Sequence, residues 1–548
     1  MNKPLLISLA AAAMLAGSAQ AATTTMYERF QAMEEKMKQM QAELETLKAK
    51  PVPADETEEE EEEEESAVAS AESEEEEEDE DDIEESLDYF DKAITRLNKN
   101  TGGNHLKFGV DFRTSYDNVK YKMVDGTEQK NDALLSNRLW LNMSWAATEN
   151  MSFTGQLAYN KFYGQRSGTG YAPFETFDWI TNENPYDDIV RVRSAYYFYR
   201  NDTFLGTDIP WTFSLGRRPS TNGHLINYRD DDPAASPMAH TINVEFDGLS
   251  SKFSLENLTW SGHYLKFCAG RGLSNATGKF FAVDANSTVQ PGANTPYVTN
   301  DYDLPDIDMV GLIWVPYSDG QYTIAAQYTY AWNLIDADLR LVDPLDPTKG
   351  MTFHGMHDVG RLQTVTANFV INGIGNEWSD FLDDTIFFVS GAATITDPDK
   401  DGMGMLGDMY EDMTTGSQTA YESQTGYSAW VGLQIPSLIT EGGRWGLEWN
   451  YGSQYWRPIT YGEDTLIGSK IATRGNAYEV YFTEPLIDDV FSFQLRYTYL
   501  DYDYSGSNGF FGSTSGNATK LEDLEAMGMG SFYVDTAQDI RAYLRYRF

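Results

Sequence analysis

The last ten residues, 539–548 (DIRAYLRYRF), limit what the chain can become more than any other stretch. Side chains of an extended strand alternate between two faces. Ile540, Ala542, Leu544, Tyr546 and Phe548 therefore share one face, and Arg541, Tyr543, Arg545 and Arg547 the other. Three arginines opposite five apolar groups suit a wall between lipid and water. A soluble antiparallel sheet with one wet face could show the same pattern. Mean hydropathy is −0.48, and past the N-terminus no window approaches the ~18–20 apolar residues of a membrane helix. A membrane chain of this kind has to cross as a closed barrel, whose alternation hides its apolar half from averaged hydropathy.

Sixteen candidate strands follow from His105, the first near Gly109 and the last near Leu544. Leu106, Phe108, Val110 and Phe112 oppose Lys107, Asp111 and Arg113; Phe491, Phe493, Leu495 and Tyr497 oppose Ser492, Gln494 and Arg496. The connections are expected to alternate long and short without a break. Short ones include 148–150, 256–257, 318–320 and 488–489; long ones include 270–306, 333–360, 396–426 and 502–538. Short periplasmic turns and long outer loops are the barrel pattern, which places both termini in the periplasm. Phe153, Trp260, Tyr322, Phe387, Trp445 and Phe491 sit just inside short turns, as an interfacial aromatic girdle would.

A closing strand that ends on Phe548, with Tyr546 and Leu544 on the same face, resembles the signature of bacterial outer-membrane barrels. In that family the barrel-assembly machinery reads the final strand, so these three residues would be the assembly signal. From about His105 to Phe548 the chain is similar to bacterial porins, and the N-terminal heptads add a resemblance to a porin-like family with a coiled coil. The expected fold is all-β: a transmembrane antiparallel β-barrel of sixteen strands (104–548), seated in outer-membrane lipid and preceded by a short periplasmic coiled-coil helix. By analogy with porins the assembly would be a homo-oligomer, a trimer.

The first hundred residues read as separate segments. An apolar run and Ala19-Gln20-Ala21 predict a signal peptide over 1–21. Met26, Phe30, Met33, Met37, Met40, Leu44 and Leu47 repeat every 3.5 residues, predicting a coiled coil over 22–50. An acidic linker (51–82) contains the unbroken glutamate run 58–65, which self-repulsion keeps extended. A second amphipathic helix is expected over 83–100, on Ile83, Leu87, Phe90, Ile94 and Leu97.

Formal charge is −45, which opposes nucleic acid as a partner and makes cations the natural counter-ions. The single Cys268 excludes an intramolecular disulfide framework and CxxCH haem attachment.

In sixteen-stranded porins the third long loop commonly enters the lumen, and here that connection is 219–240. It carries Arg229, Asp230, Asp231 and Asp232, the expected pore constriction. Parity turns Arg113, Arg138, Arg191, Arg193, Arg496 and Arg541 inward as pore-wall cations. Loop carboxylates facing wall arginines would set a field across the passage. Solvated wall arginines and an exposed acidic loop would give the same sequence. Asp397, Asp399, Asp401 and Asp408, with Gly402, match a calcium-loop spacing, although Asp replaces the usual final Glu. An acidic outer loop reads equally well, and no cofactor is required. His354 and His357 supply too few ligands for a firm metal site, and neither His240 nor His263 has an evident Ser or acid partner, so no catalytic residues are expected. The chain reads as an outer-membrane porin, a passive diffusion channel for small hydrophilic solutes or ions. The rival reading is a plugged barrel anchoring a periplasmic coiled-coil tether or partner-binding arm.

Overall fold

The computed structural model of the protein describes residues 106–164, 190–272, 280–281, 298–299, 306–343, 349, 351–375, 378–399, 404–406, 419–460, 463–507 and 517–548. The expected signal peptide, coiled coil with Met26, Phe30, Met33, Met37, Met40, Leu44 and Leu47, acidic linker and second helix lie outside the described residues.

Sixteen antiparallel strands form one closed barrel in chain order. They are β1 Leu106–Met123, β2 Glu128–Ala146, β3 Met151–Phe162, β4 Arg191–Asn201, β5 Trp211–Ser220, β6 Val244–Ser254, β7 Tyr264–Gly272 and β8 Ile307–Ser318. The second half is β9 Tyr322–Leu341, β10 Met351–Asn372, β11 Ile386–Pro398, β12 Thr425–Pro436, β13 Arg444–Gly452, β14 Gly475–Ile487, β15 Phe491–Tyr502 and β16 Val534–Arg547. β16 pairs with β1 as well as β15, so no strand edge is left open to lipid. The terminal residue completes the seam: the Phe548 backbone exchanges hydrogen bonds with Val110 at 2.7 and 2.9 Å.

The alternation read in the last strand is the alternation of the wall. Ile540, Leu544 and Tyr546 are exposed on the outer face, while Arg541, Tyr543 and Arg545 are buried within. Leu312, Trp314, Ile324, Leu447, Val480 and Leu495 extend the apolar exterior around the barrel. Trp260 and Tyr322 are exposed beside the short turns, and Tyr322 stacks on Phe369 across the ladder at 6.3 Å.

Two connections differ from the expected alternation of lengths. The β1–β2 link spans only 124–127, a tight turn in which Gly126 takes φ +82°. The 333–360 connection is mostly strand, because β9 and β10 run on to Leu341 and from Met351. Both cases have one cause. Strand pairs that continue past the lipid have water on both faces, so period-two hydropathy fades while backbone pairing persists.

Candidate functional site

The lumen wall carries a problem of like charge. Arg113 stands directly opposite Arg138 on β2 and Arg545 on β16, and Arg541 stands opposite Arg496 on β15. Like charges facing across a ladder repel, and buried guanidiniums demand partners. Wall acids meet part of that demand. Asp111 takes Arg545 at 3.0 Å and Arg138 at 3.5 Å, and Asp117 pairs with Arg541.

The rest comes from a segment that the sequence reading did not single out, the β13–β14 connection 453–474. Asp464 accepts from Arg113 Nη2 at 2.9 Å and from Arg541 Nη1 at 3.0 Å, and its carbonyl accepts from Arg496 Nη2 at 2.7 Å. Burial works against the Asp464 charge, yet Arg113 and Arg541 hold its carboxyl well below the usual 3.8. Lys470, from the same segment, reaches Glu448 on β13 at 2.7 Å and also pairs with Glu479 on β14. Its mixed charges (GEDTLIGSKIATR, 462–474) were the available signal, but a solvated surface loop would look the same.

The 221–243 connection also lies within the barrel. His240 is fully buried, sharing hydrogen bonds with Ser390 of β11 at 2.7 Å and Ser428 of β12 at 2.8 Å. Burial pushes its imidazole down to about 3, so it is a neutral tie between loop and wall. Leu225, Ile226 and Ala239 join Val370, Phe388, Trp430 and Ile471 in an apolar cluster that includes both loops.

The expected constriction residues divide into two groups. Arg229 is 1% exposed, bound to Glu463 of the second loop at 2.8 Å and to Asp230 at 2.9 Å. These two residues belong to the packed loop interior, where each is the other's partner. Asp231 and Asp232 face the wall instead: Asp232 binds Arg545 at 2.9 Å and Arg547 at 3.1 Å, and Asp231 binds Arg547 at 2.8 Å. Arg545 and Arg547 were not among the nominated wall arginines, and Arg545 stands directly opposite one that was, Arg113. Burial raises the Asp232 carboxyl above its usual 3.8, with Arg545 opposing but not cancelling the effect. Arg193 lies 3.4 Å from Glu245 and rests on Trp140 at 4.3 Å. Arg191 is half-buried at the start of β4.

Beside these loops is a cavity of about 1030 Å³. Its lining comes from β16 through β1 to β9, ten contiguous strands, and from the inner loop between Thr221 and Met238. It extends from Ser318 and Phe548 at the short-turn end to Arg193 and Arg218 far up the wall. From the Trp211 end of β5 to Arg218 is about 23 Å along the strand at ~3.3 Å per residue.

The calcium-loop spacing is only partly in view. Asp397 is strand residue rather than loop and lies 3.1 Å from Arg361, with Asp399 at 3.7 Å from the same guanidinium. Asp401 and Asp408 lie outside the described residues. Among the described residues no three metal-ligating side chains converge. His354 and His357 are likewise on β10, not in a loop.

A family model described as "Protein of unknown function (DUF3373)" matches residues 128–548. No curated protein matches the chain. Similar solved structures include outer-membrane expressed OmpT of Vibrio cholerae, at 12% identity over 81% of this chain and 97% of that chain, TM-score 0.40. OprB of Pseudomonas putida shares 11% identity over 84% of this chain and 97% of that chain, TM-score 0.40. An anion-selective porin from Comamonas acidovorans shares 8% over 81% and 99%, TM-score 0.42. The fold itself rests on the hydrogen-bonded ladder described above.

Proposed function

The chain belongs to the family described as "Protein of unknown function (DUF3373)", and we propose that it is an outer-membrane channel through which small hydrophilic solutes or ions diffuse passively. The observation that carries this reading is the cavity of about 1030 Å³ beside the inner loops, in which charged side chains stand among apolar ones. A barrel that served only as an anchor has no need of a wet space walled by ten strands, since interior side chains and loops could fill it. The apolar exterior supplies the lipid contact, and the charged interior supplies a route on which ions keep polar partners. In this reading the protein works as a homo-oligomer, a trimer, assembled through the final strand by the barrel-assembly machinery, with its N-terminal arm in the periplasm.

A second reading has an observation of its own. Arg229–Glu463, Lys470–Glu448 and Arg541–Asp464 tie both inner loops to each other and to the wall at 2.8, 2.7 and 3.0 Å. Such ties suit a permanent plug, in a barrel whose work is to hold a periplasmic arm. Single-channel recording of the refolded full chain in a planar bilayer separates the two. Stepwise conductance, in threes for a trimer, is the channel outcome. A folded barrel that stays silent, and remains silent after Asp464→Asn, would leave the anchor reading in place.

A further inference from the structure

The cavity is not neutral. Its lining includes Arg193, Arg218, Lys252, Lys266, Arg545 and Arg547 against two carboxylates, Asp111 and Asp232. Arg545 and Arg547 are taken by those acids, and Arg193 has Glu245. The remaining three have no carboxylate ion-pair partner among the described residues. Arg218 donates to the Ser250 hydroxyl and lies over Tyr196 at 5.2 Å. Lys266 donates to Ser236 of the inner loop, and Lys252 lies over the Tyr264 ring at 4.2 Å.

Register makes the arrangement costly. Lys252 and Lys266 stand directly opposite each other on β6 and β7, a placement that destabilises a sheet unless something negative sits nearby. Elsewhere among the described lumen residues two clusters of cations have acids: Asp464 serves Arg113 and Arg541, and Glu479 serves Lys470 and Arg496. Here the contacts are hydroxyls and aromatic faces, and the carboxylate whose charge acts on Lys252 is Glu256 of the following short turn, without an ion-pair contact. The neighbouring loop segment Pro233-Ala-Ala-Ser-Pro237 is built of small residues that leave the space open. Arg218 also keeps a buried Nε without a hydrogen-bond partner.

We propose that Arg218, Lys252 and Lys266 form a selection site for small oxyanions, which makes the passage anion-preferring despite the −45 charge of the whole chain. The three cations, on adjacent strands β5, β6 and β7, present a guanidinium fork and two ammonium groups to one side of a wet cavity, donors that match phosphate or carboxylate oxygens. Fields in a low-dielectric passage are set by the charges lining it rather than by net charge on remote segments. The proposal names the solute class for the channel reading and rests on it.

The test uses the refolded full chain in two measurements. Titration calorimetry in detergent at constant ionic strength, with inorganic phosphate as the probe, reads the site without requiring conduction. Reversal potentials under a KCl gradient read selectivity. Expected results are phosphate binding that weakens about tenfold or more in the Arg218→Gln/Lys252→Gln/Lys266→Gln protein, and a chloride preference of about threefold that falls to about unity. Lys252→Arg/Lys266→Arg should retain both. A well-folded triple variant that binds phosphate as the parent does, or a parent that prefers K⁺ unaltered by the substitutions, overturns the oxyanion site while leaving the channel. Phosphate binding by a barrel that never conducts overturns the selectivity part and the channel together, and leaves only a binding site.

Discussion

Arg541 Nη1 and Asp464 Oδ1 lie 3.0 Å apart although 77 residues separate them in the chain. The same carboxylate holds Arg113 at 2.9 Å, so one loop side chain grips both strands that meet at the barrel seam, β16 and β1.

Asp464→Asn should therefore loosen the inner 453–474 segment and strand closure together. Removing one partner of a buried pair costs on the order of 3–5 kcal/mol, because the arginines are left buried and uncompensated. The expected outcome is larger and noisier single-channel conductance, with the barrel unfolding at a lower temperature in a gel-shift assay. A variant with parental conductance and heat stability would show that the segment does not restrain the passage.

Acid should act on Asp232 before it acts on the Asp464 tie. Asp464 is held below 3.8, so its stabilising contribution is complete above the unfolded value and is lost only as pH falls through the lower folded one. Asp232 is shifted the other way, so it takes up a proton earlier in an acid titration, and folding gains rather than loses from that proton. With Asp232 neutral the cavity loses one of its two carboxylates. Reversal potentials recorded from about pH 8 down to about pH 4 should move towards anions. Asp232→Asn should show that shift already at neutral pH and lack the titration step.

His240→Ala should destabilise at neutral pH and remove a loss of stability that the parent shows in mild acid. Two buried serines each lose one hydrogen bond, keeping those to the Ala367 and Tyr451 carbonyls, and a ring-sized void opens against Trp430 and Trp456, whose rings lie 5.7 and 5.5 Å away. A loss of about 2–4 kcal/mol follows from the void and the two lost hydrogen bonds. Because burial lowers the imidazole from 6.5 to about 3, the unfolded parent takes up a proton that the folded parent refuses, so the difference between variant and parent should narrow from about pH 7 to about pH 5. A difference that grows as pH falls across that range would show that the ring is charged in the folded barrel.

Gly446→Leu should impair folding more than a surface change would. The Tyr481 ring covers the inner face of that glycine, and an added Cβ would run into the ring's Cζ. Overpacking of this kind costs about 1–3 kcal/mol or more. Lower refolding yield is expected, and Gly446→Leu/Tyr481→Ala should recover part of it.

The barrel was legible because lipid enforces a strict code. Leu544 and Tyr546 against Arg541 and Arg545 could be sorted by parity alone, and so could most of the sixteen strands. Where lipid ends, the code ends, which is why the first connection was expected to be long although β1 and β2 stay paired as far as Lys122 and Glu128. The inner loops were less legible still. Asp464, Glu463 and Lys470 have the chemistry of an exposed loop, and only the unpaired demand of Arg113, Arg496 and Arg541 calls them inward. Counting arginines on the wet face without matching acids was the one clue the chain offered. Asp111 and Asp117 answer only part of that count, and a loop had to answer the rest. The Lys252–Lys266 opposition was hidden for another reason, since register between strands cannot be read from either strand alone.

The seam contact bears on how the barrel comes to be closed correctly. Sliding β16 by one residue would leave nearly every backbone hydrogen bond available, yet it would turn Arg541, Tyr543 and Arg545 towards lipid and Leu544 towards water. Asp464, Asp117 and Asp111 would then face apolar side chains in place of their guanidiniums. The acids inside the lumen thus work as a proofreading gauge for the last joint, accepting one alignment of the final strand and rejecting its neighbours.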